Sequence, residues 1–184
     1  MRLWLVRHAT PLVAAGTCYG QLDVTAEAQA TQDSAQALAA ELPAGLTVYV
    51  SPLMRARQLA NALMALRPDL TLKVDQRLAE MDFGCWEGKA WSAIPVKAVD
   101  RWTEHFPSHR FGGKESVTDV LTRVRDALRS CAGQSECVWV THAGVIRAVA
   151  HLLQFGPTAV PSASSWPVDA PGYGEWQIKD WPSA

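Results

Sequence analysis

Short apolar runs recur along the chain, separated by longer stretches whose apolar residues follow a helical spacing. Such runs, bounded by turn-forming residues, predict buried strands. The predicted strands are Arg2–Val6, Leu46–Val50, Leu70–Val74, Glu136–Thr141 and Glu175–Ile178. Strands that alternate with helices are typical of a mostly parallel sheet with helices on both faces. We therefore expect an α/β three-layer sandwich.

Helices are predicted at Glu27–Leu42, Leu53–Leu66, Ser116–Ala132 and Gly144–Leu153. Ser51 and Pro52 precede the second of these and predict its cap and its first-turn proline. The segment 86–113 interrupts the alternation, because it is rich in Trp, Phe, His and Pro and has no clean period. We interpret it as a cap insertion, and residues 158–174 as a long surface loop. A chain of 184 residues then suits one domain, 1–184, with the cap at about 86–113.

The composition is that of an ordinary globular protein, with 48% hydrophobic and 19% charged residues. A net charge of −1 gives no support to a nucleic acid or an anionic membrane as partner. An anionic substrate must therefore be met by a few placed arginines. The chain shows no signal-peptide pattern and no C-x-x-C pair among its four cysteines. We expect free thiols and a cytoplasmic location.

Two histidines directly follow predicted strands, where ligands of α/β sheets bind. Arg7 and His8 end the first strand, and His142 ends the fourth. A neutral imidazole at such a position can attack phosphorus, and a neighbouring guanidinium can hold a phosphoryl group. Backbone N–H groups after His142 could stabilise charge that develops in a transition state. The alternative is a histidine that only caps its strand, and other residues must decide between this structural role and the catalytic one.

Two further residues favour phosphate chemistry. Arg55 lies in the first turn of a predicted helix, where a positive charge is unfavourable to the helix and indicates an external anion. Glu80 is flanked by apolar residues, and a partly desolvated carboxyl can hold a proton for a leaving group. Asp82 and Glu87 are competing carboxylates. His105 and His109 have a metal-like H-x-x-x-H spacing, but we interpret them as solvated or cleft-lining histidines, and no metal site is predicted.

Together these motifs resemble those of the histidine phosphatase superfamily, which includes the cofactor-dependent phosphoglycerate mutases. The matching segments are Leu5–His8, Ser51–Ala56, Leu78–Gly88 and Val140–Arg147. Within the superfamily, the chain most resembles the bacterial α-ribazole phosphatase branch, which dephosphorylates a cobalamin-loop precursor. The segments Phe83–Gly88 and Gly112–Ser116 carry this finer resemblance.

The resemblance implies a role for each site residue. His8 would be the nucleophile. Glu80 would donate a proton to the leaving oxygen and then activate water, and no metal or organic cofactor would be needed. Arg7, Arg55 and His142 would hold the phosphoryl oxygens. Further substrate contacts are expected from Thr10, Tyr19, Gly20 and Gln21. Three residues depart from the family pattern and bear on substrate preference: Ala9, Thr10 and Lys114.

The leading interpretation is a phosphomonoesterase that works through a covalent phosphohistidine, with a small-molecule phosphate ester such as α-ribazole 5′-phosphate as substrate. The cap aromatics either wall the cleft or pack as a lid: Trp91, Trp102, His105, Phe106, His109 and Phe111. Alternatives are a mutase, a phosphohistidine-protein phosphatase and a non-catalytic phosphate-binding module. The sequence carries no signal for an oligomeric state.

Overall fold

A single five-stranded sheet forms the centre of the protein. The computed structural model describes residues 1–182, and positions 183 and 184 of the predicted domain lie outside the described residues. The strands are β1 (Arg2–Arg7), β2 (Thr47–Val50), β3 (Thr71–Val74), β4 (Glu136–Thr141) and β5 (Trp176–Asp180). Their order is β3-β2-β4-β1-β5, and every neighbouring pair is parallel except β1 with β5. The predicted mostly parallel sheet is confirmed.

Helices cover both faces of this sheet, as predicted. The covering helices are α1 (Ala28–Glu41), α2 (Met54–Leu66), α4 (Val117–Ser130) and α5 (Ala143–Phe155), and α3 (Val96–Glu104) lies in the segment predicted as a cap. One face of the sheet packs against α1 and α2, in an apolar cluster that includes Val6, Val140, Leu38 and Leu59. The other face packs against α4 and α5. No helix within residues 1–182 has the length and apolar character that a membrane span requires.

Local sequence explains the start of α4 but not that of α2. Ser116 and Asp119 form a reciprocal capping box, which satisfies two N-terminal donors of α4. The predicted Ser51 cap of α2 is wrong, because Leu53 is the N-cap and its side chain forms no capping bond. Ser51 lies before that N-cap, where its Oγ accepts from the backbone N–H of Leu53 at 3.3 Å and also lies 2.7 Å from the ring of His142 at the end of β4.

The segment predicted as a cap contains α3 and short 3-10 turns, held together by aromatic rings. Phe111 is buried and stacks on Trp102 with ring centroids 4.6 Å apart. Phe106 meets Trp166 of the 158–174 loop edge-on, at 5.6 Å. The segment and the loop therefore meet beside the carboxyl ends of the strands, where the candidate site lies.

Candidate active site

The strand register brings the two strand-end histidines together. Arg7 of β1 pairs with Thr141 of the adjacent parallel β4. His8 is the next residue after Arg7 and His142 the next after Thr141, so the two histidines lie side by side. Their ring centroids are 5.0 Å apart, and both side chains are buried. The meeting point lies at the carboxyl ends of parallel strands, where α/β proteins bind ligands.

His8 presents a nitrogen suited to nucleophilic attack. Its Nδ1 lies 2.7 Å from the carbonyl oxygen of Ala9, and because a carbonyl only accepts, Nδ1 carries the hydrogen. The lone pair is therefore on Nε2, to which Arg55 Nε donates at 3.2 Å. Burial lowers the pKa of His8 to about 3, with the Arg55 charge as the next cause. The ring is thus neutral at neutral pH.

Arg55 is fully buried and has all three nitrogens of its guanidinium engaged. Besides Nε, its Nη1 donates to the carbonyl of Leu22 at 3.0 Å and its Nη2 to that of Gly20 at 2.6 Å. These acceptors orient the cation without neutralising it. Burial lowers the pKa of Arg55, while the nearby carboxylate of Glu80 acts in the opposite direction.

Arg7 supplies a second positive charge on the same side. Its Nη1 donates to the carbonyl of Pro171 at 3.1 Å, and its guanidinium carbon lies 3.9 Å above the ring of Tyr173. Its Nε is buried without a partner among the described residues. A buried donor of this kind is suited to an anionic ligand.

His142 offers a similar donor position opposite His8. Its Nε2 lies 2.7 Å from Ser51 Oγ, whereas its Nδ1 is buried with no partner in the part of the chain that the structure describes. Burial holds the pKa of His142 well below its ordinary value, and the Arg55 charge adds to the effect. The ring is therefore neutral.

Glu80 lies at the N-terminus of α5. Its Oε2 accepts from the backbone N–H of Gly144 at 3.0 Å, and its Oε1 accepts from the N–H of Met81 at 2.9 Å. A Cβ at position 144 would overlap Oε1, so the glycine is what permits this close approach. The carboxyl thus lines the same cleft as Arg7.

Not all predicted substrate contacts lie in the cleft. Gly20 lines it, and its carbonyl holds Arg55. Gln21 supports Glu80, because its Nε2 donates to the carbonyl of Glu80 at 3.0 Å. Thr10 is exposed and does not line the cleft, and its contact with phosphate stays a prediction. Glu87, a competing carboxylate, instead accepts from the backbone of Gln21 and Phe83.

The cleft has a volume of about 300 Å³, and six of its sixteen lining residues are aromatic. Of the predicted cap aromatics, Trp91, Trp102 and Phe106 line it. His105, His109 and Phe111 do not, since His105 is exposed, His109 faces another groove and Phe111 is buried in the cap. Sequence reasoning missed Phe83, Arg147 and Trp166 as wall residues.

Two tyrosines cover the strand-end histidine His8. The Tyr173 ring lies 5.5 Å from that of His8, and its hydroxyl is 3.0 Å from the hydroxyl of Tyr19. The centre of the Tyr19 ring in turn lies 5.0 Å from the guanidinium carbon of Arg55. His8 is consequently only 1% exposed. Tyr173 was not identified from the sequence, because it lies in an irregular loop with no pattern to mark it.

Comparison with known proteins agrees with this geometry. The sequence profile described as "Histidine phosphatase superfamily (branch 1)" matches residues 3–168. The chain is 33% identical over 113 residues to a 6-phosphofructo-2-kinase/fructose-2,6-bisphosphatase from Caenorhabditis elegans. That match covers 59% of this chain and only 24% of the relative, so the chain spans about a quarter of that protein.

Solved structures with the same fold include a mutase and a phosphatase. A phosphoglycerate mutase from Thermus thermophilus is 28% identical, with a TM-score of 0.73 over 100% of this chain and 95% of that one. A mycobacterial glucosyl-3-phosphoglycerate phosphatase is 27% identical, with a TM-score of 0.70 over 83% and 78% of the two chains. Arg7 and Glu80 line the cleft, and His8 and His142 lie buried side by side at the end of the strands. With the profile match over residues 3–168, the chain belongs to branch 1 of the histidine phosphatase superfamily.

Proposed function

We propose that the protein is a phosphomonoesterase that hydrolyses a small phosphate ester through a phosphohistidine at His8. The observation that carries the proposal is the neutral His8 ring, whose Nε2 lone pair faces a buried guanidinium 3.2 Å away. A neutral imidazole can attack phosphorus, and the guanidinium stabilises the oxygens of the phosphoryl group as it transfers.

The reaction has two steps. In the first, His8 Nε2 forms a bond to phosphorus while the ester P–O bond breaks, and protonated Glu80 gives its proton to the leaving oxygen. In the second, water attacks phosphorus, Glu80 takes a proton from that water, and the P–N bond breaks. Inorganic phosphate and neutral His8 result, and Glu80 is again protonated for the next cycle.

The charges of the site fit a phosphate monoester. Arg7 and Arg55 form no ion pair with a carboxylate among the described residues, and their bonds to the backbone go to carbonyl groups. Unneutralised guanidinium groups at a buried site favour a dianionic ligand strongly, because the local dielectric constant is low.

The cleft walls support a substrate with a flat, apolar leaving group. Trp91, Trp102 and Trp166 line the cleft together with Phe83 and Phe106. Aromatic walls favour stacking with a planar ring. We therefore propose α-ribazole 5′-phosphate, whose leaving group carries a benzimidazole, as the physiological substrate, acted on in the cytoplasm.

A substrate panel tests this proposal. Initial rates would be measured with α-ribazole 5′-phosphate, an aryl phosphate, 3-phosphoglycerate and a phosphohistidine peptide, for wild type and His8→Ala. The proposal predicts the highest kcat/KM for α-ribazole 5′-phosphate and no activity above background in the variant. Isomerisation of 3-phosphoglycerate without net phosphate release would favour a mutase, as in the Thermus neighbour, and would overturn the hydrolytic assignment.

A further inference from the structure

Ser51 lies where the sequence predicted a helix cap, yet its hydroxyl faces the site. The residue follows β2 and is fully buried. Its Oγ accepts a hydrogen bond from the backbone N–H of Leu53 at 3.3 Å and lies 2.7 Å from His142 Nε2. Within residues 1–182 the hydroxyl has no other partner by hydrogen-bond geometry.

Counting donors and acceptors fixes the direction of the bond to His142. A serine hydroxyl has one hydrogen to donate and two lone pairs that accept. The amide of Leu53 can only donate, so it occupies a lone pair and leaves the hydroxyl hydrogen free. A buried hydroxyl is expected to donate that hydrogen, and His142 Nε2 is the acceptor within reach.

This direction determines the tautomer of His142. If Nε2 accepts, it carries no hydrogen, and a neutral imidazole must then carry its hydrogen on Nδ1. Nδ1 is the buried nitrogen without a partner among the described residues, on a ring 5.0 Å from that of His8. The protein thus presents an unsatisfied N–H donor beside the nucleophile.

We propose that Ser51 is a positioning residue that holds His142 in the Nδ1–H tautomer, so that the ring donates to the phosphoryl group carried by His8. The inference rests on the proposed function, since it requires a phosphoryl group at His8. Without the Ser51 hydroxyl the ring can move its hydrogen to Nε2. The Nδ1 lone pair would then face an anionic oxygen and repel it.

Three variants separate this role from a contribution to folding. Ser51→Ala removes the hydroxyl, and Ser51→Thr retains it. Thr141→Val is the matched control, because Thr141 is also buried and precedes His142, but its hydroxyl donates to the carbonyl of Leu78. Residues that orient metal-bound histidines contribute about 10- to 100-fold to activity, and we expect an effect of similar size from a hydroxyl that orients His142. We expect kcat to fall by about that factor in Ser51→Ala, to recover in Ser51→Thr and to stay near wild type in Thr141→Val.

The decisive readout is the nitrogen-15 NMR spectrum of the His142 ring, assigned by comparison with His142→Gln. In wild type and Ser51→Thr we expect the Nδ1-protonated pattern, and a shift of the Nδ1–H signal on addition of inorganic phosphate. In Ser51→Ala we expect the Nε2-protonated form or a mixture. An Nε2-protonated ring in wild type would overturn the inference, as would an unchanged spectrum and kcat in Ser51→Ala.

The spectra also distinguish this inference from the proposed function. The tautomer is observed in the ligand-free protein, and the response to inorganic phosphate needs no turnover. An Nδ1–H that responds to phosphate, in a protein without phosphatase activity, would overturn the hydrolytic function but retain the positioning of His142 at a phosphate site. An Nδ1–H signal that phosphate leaves unmoved would overturn the inference even in an active enzyme.

Discussion

Arg55 brings a positive charge into the interior of the protein, and its three hydrogen-bonding nitrogens explain why the position requires arginine. A lysine would keep the charge, but its single nitrogen cannot donate at once to His8, Leu22 and Gly20 in this geometry. We predict that Arg55→Lys lowers kcat/KM by about 100-fold or more, the size of effect seen when a charge-stabilising donor is lost. Arg57→Lys, two residues on at an exposed position, is the matched control and should leave steady-state kinetics unchanged.

Gly144 provides a way to move Glu80 without replacing it. A Cβ at this position would overlap Glu80 Oε1, while the residue lies in α5 without a positive φ. Gly144→Ala should therefore lower kcat by about 10- to 100-fold, as expected for a displaced acid–base group, with stability unchanged or raised.

The double variant Glu80→Gln/Gly144→Ala shows whether the alanine acts through Glu80. If it does, adding Gly144→Ala to Glu80→Gln costs no further activity, because residues acting as one unit are not additive. Independent losses in kinetic assays of the two single variants and the double variant would contradict this mechanism.

At the scale of elements, the loop before β5 holds Tyr173 over the nucleophile. The N–H of Gly174 donates to the carbonyls of Arg7 and His8 at 3.2 and 3.0 Å, which ties the loop to the end of β1. The Tyr19–Tyr173 hydroxyl bond then completes the cover. Substrate must displace part of this cover, since His8 is almost fully buried.

We predict that Tyr19→Phe and Tyr173→Phe each raise kcat/KM for bulky aryl phosphates, because each breaks the same bond. A net contribution of about 1 kcal/mol for one hydrogen bond corresponds to an increase of roughly five-fold. The double variant should equal either single variant in the same assay. Tyr173→Ala also loses the stacking on Arg7 and should lower kcat/KM instead. Additive gains in the double variant would show that the hydroxyls act separately.

Elements that follow periodic patterns were predictable from the sequence, and irregular ones were not. Arg7, His8 and His142 were identified because they follow apolar strands, whose carboxyl ends meet at one edge. The role of Ser51 was missed because its local Ser-Pro context resembles a helix cap, whereas its partner lies 91 residues away. Trp166 and Tyr173 lie in a loop without a period, so only tertiary packing places them at the site.

For the whole molecule, two neutral buried histidines make stability depend on pH. Burial lowers the pKa of His8 from 6.5 to about 3, and lowers that of His142 well below 6.5. Between pH 6.5 and the lowered pKa of each histidine, the unfolded chain binds a proton that the folded protein does not. Acid therefore favours unfolding. The contribution of the neutral His8 to stability is fully present above about pH 6.5 and is lost as the pH falls towards 3.

Urea unfolding at several pH values in this window tests that dependence. We predict that the free energy of unfolding of wild type falls as the pH is lowered from about 6.5, by up to about 1.4 kcal/mol per pH unit for each histidine. The free energy of unfolding of His142→Gln should fall less steeply with pH than that of wild type. Equal slopes in the two proteins would contradict neutral burial of His142.

The most direct test of a phosphohistidine mechanism is to trap the phosphoenzyme. Wild type and His8→Ala would be mixed with a labelled aryl phosphate, quenched on a millisecond timescale and divided between acidic and alkaline conditions. We expect a label on wild type that survives base, is lost in acid and maps to the peptide containing His8, with none on the variant. Turnover without any such label, or a label on His8→Ala, would contradict a phosphohistidine at His8.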